Sequence, residues 1–174
     1  MDKLRQLDGM TLSERPDGPK LRVQRMPGAR LPGAATLPVT PNTAHGNGPW
    51  ALWLGPAEWL IYALEGGMEP LQRTVEPDVL AGSLVVAEVS QGLALIELSG
   101  AESLAVLATG CGLDLAGGVV PPGGCAQSHF HQVPLILHRP GGSEAWRLFV
   151  DRALGRYLFD SLCSQHEIRH LRSR

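Results

Sequence analysis

The sequence predicts an α+β fold, a mainly antiparallel sheet with helices packed on it. Short apolar runs rich in Trp, Ile, Tyr and Val come in pairs, split by turns that contain Gly or Pro, and such pairs read as hairpins. Single helical segments separate the pairs, with little βαβ alternation. No GxxxxGK(S/T) run occurs and no GxGxxG follows a strand, so neither a P-loop nor a dinucleotide fingerprint is present.

The chain has 174 residues, enough for one sizeable core and a tail, and 44% of them are hydrophobic. A formal net charge of -2 leaves no global basic field to hold nucleic acid. Lys3 and Lys20 are its two lysines and arginine supplies the rest of the positive charge, which suits interfaces and bidentate pairing. Cys111, Cys125 and Cys163 are odd in number and form no C-x-x-C, which argues against a disulfide framework and against a zinc site. The first eighteen residues are too polar for a signal peptide, and no run approaches the roughly 20 apolar residues of a membrane span. A cytoplasmic protein with no membrane association is expected.

Residues 1–49 are rich in Pro, Gly, Arg and Thr, a composition that opposes helix and central strand. They predict an N-terminal arm with one short strand over 21–26, an arm apolar enough to wrap a partner. From Trp50 the pattern changes. ALWLG and EWLIYAL read as two strands around Gly55-Pro56, and Gly66-Gly67 ends the second. A short helix starts at Pro70, with Leu71, Thr74 and Val75 on one face, and Pro77 should end it.

Residues 84–89 and 93–98 predict a hairpin around Ser90-Gln91-Gly92, with Gly92 free to take a positive φ. Ser99 and Glu102 fit a capping box, opening a helix that runs to Thr109, buries Leu104, Leu107 and Ala108, and closes at Gly110. Beyond the turn at 121–124, residues 125–137 predict one long strand with Pro134 at an edge or bulge. A turn at 140–142 leads to a returning strand over 145–150. Asp151 then caps a last helix marked by Leu154, Leu158, Leu162 and Gln165, with Arg169 and Arg172 near its C-terminus.

Chemistry is sparse. No GxSxG elbow is present. His129 and His131 would share one face of an unbroken strand, with Cys125 four residues earlier, but a third ligand is not evident, and His138 lies beyond Pro134. His166 and His170, spaced i, i+4, resemble half a metal site, but the spacing is read first as a solvated helix face. No two of Glu58, Glu65, Glu88, Glu97, Asp114 and Asp160 are placed by spacing to share a proton. Glu97 stands out inside an apolar strand, where alternation points it outward. Cys111, between two glycines and without a nearby base, reads as a packing cysteine. Of Trp50, Trp53 and Trp59, any that faces outward beside an arginine would make an interface anchor.

Three ordered blocks resemble the gamma subunit family of heterotetrameric sarcosine oxidase. WLGPAEWLI at 53–61 is close to an LGP-x-EWL pattern. Residues 89–115 carry a turn, an apolar strand, SGAES and a GC-x-LDL ending. Residues 122–162 carry a glycine turn, paired strands and a terminal helix, although 151–155 depart from the usual entry to that helix. The resemblance covers most of residues 50–165 and implies a gamma-like domain over 50–174. It implies an aminomethyltransferase (T-protein)-like fold and a complex that demethylates sarcosine to glycine, passing the one-carbon unit to tetrahydrofolate. The FAD, FMN, NAD and tetrahydrofolate of such a complex would be held by larger alpha, beta and delta type flavoprotein subunits. This chain would be an oxidoreductase subunit supporting assembly and stability, with no catalytic, cofactor-binding or metal residues of its own. Two other readings stay open: a subunit of a related N-methyl amino acid dehydrogenase, and a stand-alone folate-binding or aminomethyltransferase-like protein.

Overall fold

Alternating apolar residues build two antiparallel sheets, where the sequence suggested one. The structure, a computed structural model, describes residues 4–15, 18–30 and 37–172, with the side chain of Arg172 outside the description. Strands β1 (Leu4–Leu7), β2 (Met10–Glu14), β8 (Leu93–Ser99), β9 (Gly124–Phe130), β10 (Val133–Arg139) and β11 (Trp146–Asp151) form a six-stranded sheet in the order β1-β2-β8-β11-β10-β9. Strands β3 (Lys20–Arg25), β4 (Ala44–His45), β5 (Trp50–Gly55), β6 (Glu58–Tyr62) and β7 (Leu84–Glu88) form a five-stranded sheet in the order β4-β5-β6-β3-β7. Helix α1 (Glu69–Leu80) packs on the five-stranded sheet, and α2 (Ser103–Ala108) and α3 (Arg152–Arg172) pack on the six-stranded one.

Strand alternation sorts the side chains into three cores. Ile96, Leu98, Leu137 and Leu148 face α2 and α3 and meet Leu107, Leu158 and Leu162. Trp59 and Ile61 face α1 and meet Leu71 and Val75. The opposite faces, with Leu52, Leu60, Tyr62, Leu95, Cys125 and Phe149, meet between the sheets. The order is therefore helix, sheet, sheet, helix. Edge strand β9 is tied across to the other sheet: Cys125 N–H donates to the Asn42 carbonyl (2.9 Å), and Gln127 Nε2 donates to the Leu54 carbonyl (2.7 Å).

Several local expectations are corrected. Residues 1–49, read as an arm with one short strand, hold four: β3 lies at the expected 21–26, and β1, β2 and β4 add to it. Residues 31–36 of that arm lie outside the described residues. β2 pairs with β8 and buries Met10 and Leu12. β7 and β8 make no hairpin. The turn between them carries the chain from one sheet to the other, and Gly92 keeps a φ outside the left-handed region. Residues 125–137 are two strands, not one, folded at His131, whose φ is 52°.

The helix ends differ as well. Pro77 sits inside α1, exposed in its later half, where one ladder bond is forfeited without ending the helix. No side chain caps α2: Glu102 instead approaches Arg169 on α3 (3.4 Å), and the Glu102 N–H donates to the Gly9 carbonyl (3.0 Å). Ala108 is exposed, and Ser103 and Val106 are buried instead. Asp151 does cap α3, its Oδ1 accepting from the Ala153 N–H at 2.8 Å. The buried stripe of α3 runs Gly155, Leu158, Phe159 and Leu162, and Leu154 stays exposed.

Candidate functional site

A buried polar cluster that joins both sheets lies in the core between them. Strand β11 reads WRLFVD. Trp146, Leu148 and Val150 face the helices, so Arg147 faces the second sheet. Glu97, on β8, stands directly opposite Arg147 in the register, and the Arg147 Nε donates to its Oε2 at 2.9 Å. From the second sheet, Tyr62 on β6 brings its hydroxyl within 2.8 Å of Arg147 Nη1. Tyr62 Oη also lies 2.6 Å from His138 Nδ1, on β10. Trp50, on β5, lays its ring 4.3 Å beneath the guanidinium and stacks on Tyr62 at 5.1 Å.

The proton positions follow from donor chemistry. Arginine only donates, so the Tyr62 oxygen accepts from Arg147, and we assign its own proton to His138 Nδ1, the arrangement in which both groups are neutral. His138 is therefore neutral, with its proton on Nε2. Burial, with the nearby Arg147 charge second, pushes the His138 pKa down to about 3. Burial raises the Tyr62 hydroxyl well above the ordinary tyrosine range, against the lowering effect of Arg147. Burial also works against the Arg147 charge, but Tyr62 and Glu97 outweigh it and hold the guanidinium above its usual value. Neither His138 nor Tyr62 changes charge near neutral pH. The geometry of the pair pins the two sheets together.

The other candidates are scattered. His129 is exposed on β9, while His131 sits in the turn with its ring against Phe130 (4.6 Å), so the two share no strand face. Cys125 does lie on the His129 side of β9, but it is fully buried, its thiol 3.2 Å from the Thr43 carbonyl and raised to about 11 by burial. His166 is buried, not solvated, and its Nε2 lies 2.6 Å from the Asp8 carbonyl. The His170 ring packs against it at 4.3 Å. Glu97 does alternate away from Ile96, but the second sheet covers the face it reaches.

Glu58 pairs with Arg22, Asp160 lies 3.4 Å from Arg156, and the Asp114 Oδ1 accepts from the Gly117 N–H. Glu65 and Glu88 are exposed. Cys111 is half-buried beside Ser128 (3.4 Å). Trp59 is core, its Nε1 donating to the Pro38 carbonyl (2.7 Å), whereas Trp50 and Trp53 are half-buried. Among the described residues no group of three or more His, Cys, Asp or Glu side chains is placed to hold a metal ion. No helix among them is long and apolar enough to cross a membrane.

A groove of about 830 Å³ runs along the ends of β10 and β11, with Leu93, Leu113, His129, Ile136, Asp151 and Leu154 in its walls. The Asp151 carboxylate caps α3, and the Phe149 ring packs edge-on against Tyr62 at 4.6 Å. Sequence reasoning missed Arg147, Tyr62 and His138 as members of one cluster. A signal existed: LALIELS and WRLFV are apolar strands, each broken by one charge of opposite sign.

Paired antiparallel sheets with helices outside define an α+β class of fold. The glycine cleavage system aminomethyltransferase T from Bartonella henselae shares the fold, with a TM-score of 0.60 and 17% identity over 86% of this chain and 44% of that one. Within that class, the chain belongs to the sarcosine oxidase, gamma subunit family, which matches residues 21–166. A chain of the heterotetrameric sarcosine oxidase from Corynebacterium sp. U-96, in complex with pyrrole 2-carboxylate, superposes with a TM-score of 0.77 and 22% identity, covering 91% of this chain and 84% of that one. No curated protein matches the sequence.

Proposed function

We propose that this chain is a non-catalytic gamma-type subunit of a heterotetrameric sarcosine oxidase complex, to which it lends assembly and stability. The observation that supports this reading is the gamma-subunit family match over residues 21–166, and beside it Glu97, Arg147, Tyr62 and His138 bond one another inside the molecule and tie its two sheets together. Its partners are the larger flavoprotein subunits of alpha, beta and delta type, in the cytoplasm. FAD, FMN, NAD and tetrahydrofolate belong to those subunits. The groove beside β10 and β11 offers a pterin little, because its carboxylate, Asp151, caps α3 and its Phe149 ring packs against Tyr62. The amine oxidised by the complex, sarcosine or a related N-methyl amino acid, is chosen outside this chain.

Co-expression with the larger subunits tests the reading. With this chain present, size-exclusion chromatography should return one flavin-containing complex. Without it, assembly or thermal stability should fall. Amine oxidation by the purified chain alone, or firm tetrahydrofolate binding to it in calorimetry, would overturn the proposal.

A further inference from the structure

The two sheets end in four edge strands, and their outer sides differ. β9 is bonded across to residues 42–44, and β4 is two residues long. β1 is four residues long and carries the charge of Arg5. Short length and charge are common ways of guarding an edge. β7, with the sequence LVVAE, carries its one charge, Glu88, at its end and has neither lysine nor proline, and its two valines favour strand pairing.

The register shows which of its backbone groups are open. Val89 N–H donates to the Lys20 carbonyl and Met26 N–H to the Ser83 carbonyl, so the residues of this strand bonded to β3 are odd-numbered. The N–H and C=O groups of Leu84, Val86 and Glu88 therefore point away from the sheet, and no described residue bonds to them. Apolar surface lies alongside: Val85 is 52% exposed, and at the end of α1 Leu80 is 81% exposed. A cleft of about 370 Å³ between α1 and β7 is walled by Val79, Leu80 and Val86. Its rim is acidic. Glu76 and Glu88 line it, α1 has no basic residue in its last turn, and neither carboxylate forms an ion pair among the described residues; the Glu88 Oε1 accepts from the Ser90 hydroxyl at 3.1 Å.

We infer that β7 receives an added antiparallel or parallel strand from one of the larger subunits, an extended segment with alternating apolar residues and Lys or Arg at its ends. The inference rests on the reading of this chain as a subunit of that complex. The unpaired groups at every second residue specify an extended backbone, the cleft takes its alternate side chains, and the carboxylates select basic flanks. A second copy of this chain suits the edge less well, since β7 itself carries no Lys or Arg to meet Glu76 and Glu88.

The test is amide-resolved hydrogen exchange on the isolated full chain and on the co-expressed complex. The Leu84, Val86 and Glu88 amides should slow at least tenfold in the complex, while the Val85 and Ala87 amides are slow in both. Two variants, Glu88→Pro, which removes an outward N–H and leaves the β3 ladder intact, and Val85→Lys, should each weaken association about tenfold, with the fold checked by circular dichroism. Unchanged exchange at 84, 86 and 88, wild-type association by both folded variants, or a homodimer of the isolated chain that Glu88→Pro dissociates would overturn the inference and leave the subunit reading standing. Failure of the wild-type chain to join the complex would overturn both.

Discussion

Removing the Arg147 guanidinium would strand the Glu97 carboxylate, which pairs with it. Its side chain is 9% exposed and that of Glu97 is 18% exposed, so water reaches neither freely. Breaking such a pair costs more than the pair contributes, because the remaining charge stays desolvated. Arg147→Met is therefore expected to lower stability by about 3 kcal/mol in urea denaturation. Adding Glu97→Leu should return most of the loss, and an unrecovered double variant would show that the cation–π contact with Trp50 dominates instead. His138 sets a pH dependence. Its pKa is about 3 in the folded chain, against 6.5 as the ordinary value, so unfolding takes up a proton in the window between. Stability is complete above pH 6.5 and falls by about 1.4 kcal/mol per pH unit as pH drops toward 3. In His138→Asn, which keeps an acceptor for the Tyr62 hydroxyl, that slope should be absent between pH 6.5 and 5. Equal slopes in the two proteins would mean that His138 already carries charge in the core.

At the scale of elements, α3 depends on a residue with no side chain. A Cβ built on Gly155 would meet the Ala94 Cβ at 3.0 Å, so the helix lies as close to β8 as two small residues allow. Gly155→Leu is expected to cost about 2 kcal/mol through overpacking, despite the better helix propensity of leucine, and Ala94→Gly in the same chain should recover part of it. Gly110 works in the same way: its φ is ordinary, but a Cβ there would meet Phe130 at 2.9 Å, so closeness rather than a left-handed cap requires the glycine. These cases show what the sequence makes legible. β3, β5, β6, α1, α3 and the Asp151 cap follow from local periodicity and turn chemistry, which act within a few residues. The assignment of β7 and β8 to different sheets does not, because a three-residue turn is compatible with either a hairpin or a crossing. The polar cluster is hidden for the same reason. Glu97 and Arg147 are readable as two odd charges in apolar strands, but their meeting with Tyr62 and His138 is set by how one sheet lies on the other.

For the whole molecule, the question is whether the N-terminal segment is an appendage or part of the core. Its composition suggests an appendage, yet β2 supplies the hydrogen-bonding partner of β8 along Thr11–Ser99 to Glu14–Ile96. Met10 and Leu12 are fully buried against the cluster that holds Ile96, Leu98 and Leu162. The β1–β2 turn also receives the His166 ring through the Asp8 carbonyl, and Gly100 lets the two turns touch: with φ +107° and a built Cβ only 2.5 Å from the Gly9 carbonyl oxygen, it admits no side chain. Burying Met10 and Leu12 contributes about 2–3 kcal/mol each, and the ladder and turn contacts add to that, so the segment accounts for a large part of the 5–15 kcal/mol that ordinarily separates folded from unfolded domains. A chain that begins at Lys20 is therefore expected to lose cooperative thermal unfolding and to bind a hydrophobic dye, because β8 becomes a bare edge over an open core. An appendage would leave the melting temperature within a degree or two of the full chain. The same truncation should also prevent entry into the oxidase complex through loss of the fold, which sets it apart from Glu88→Pro, where a folded chain loses the contact alone.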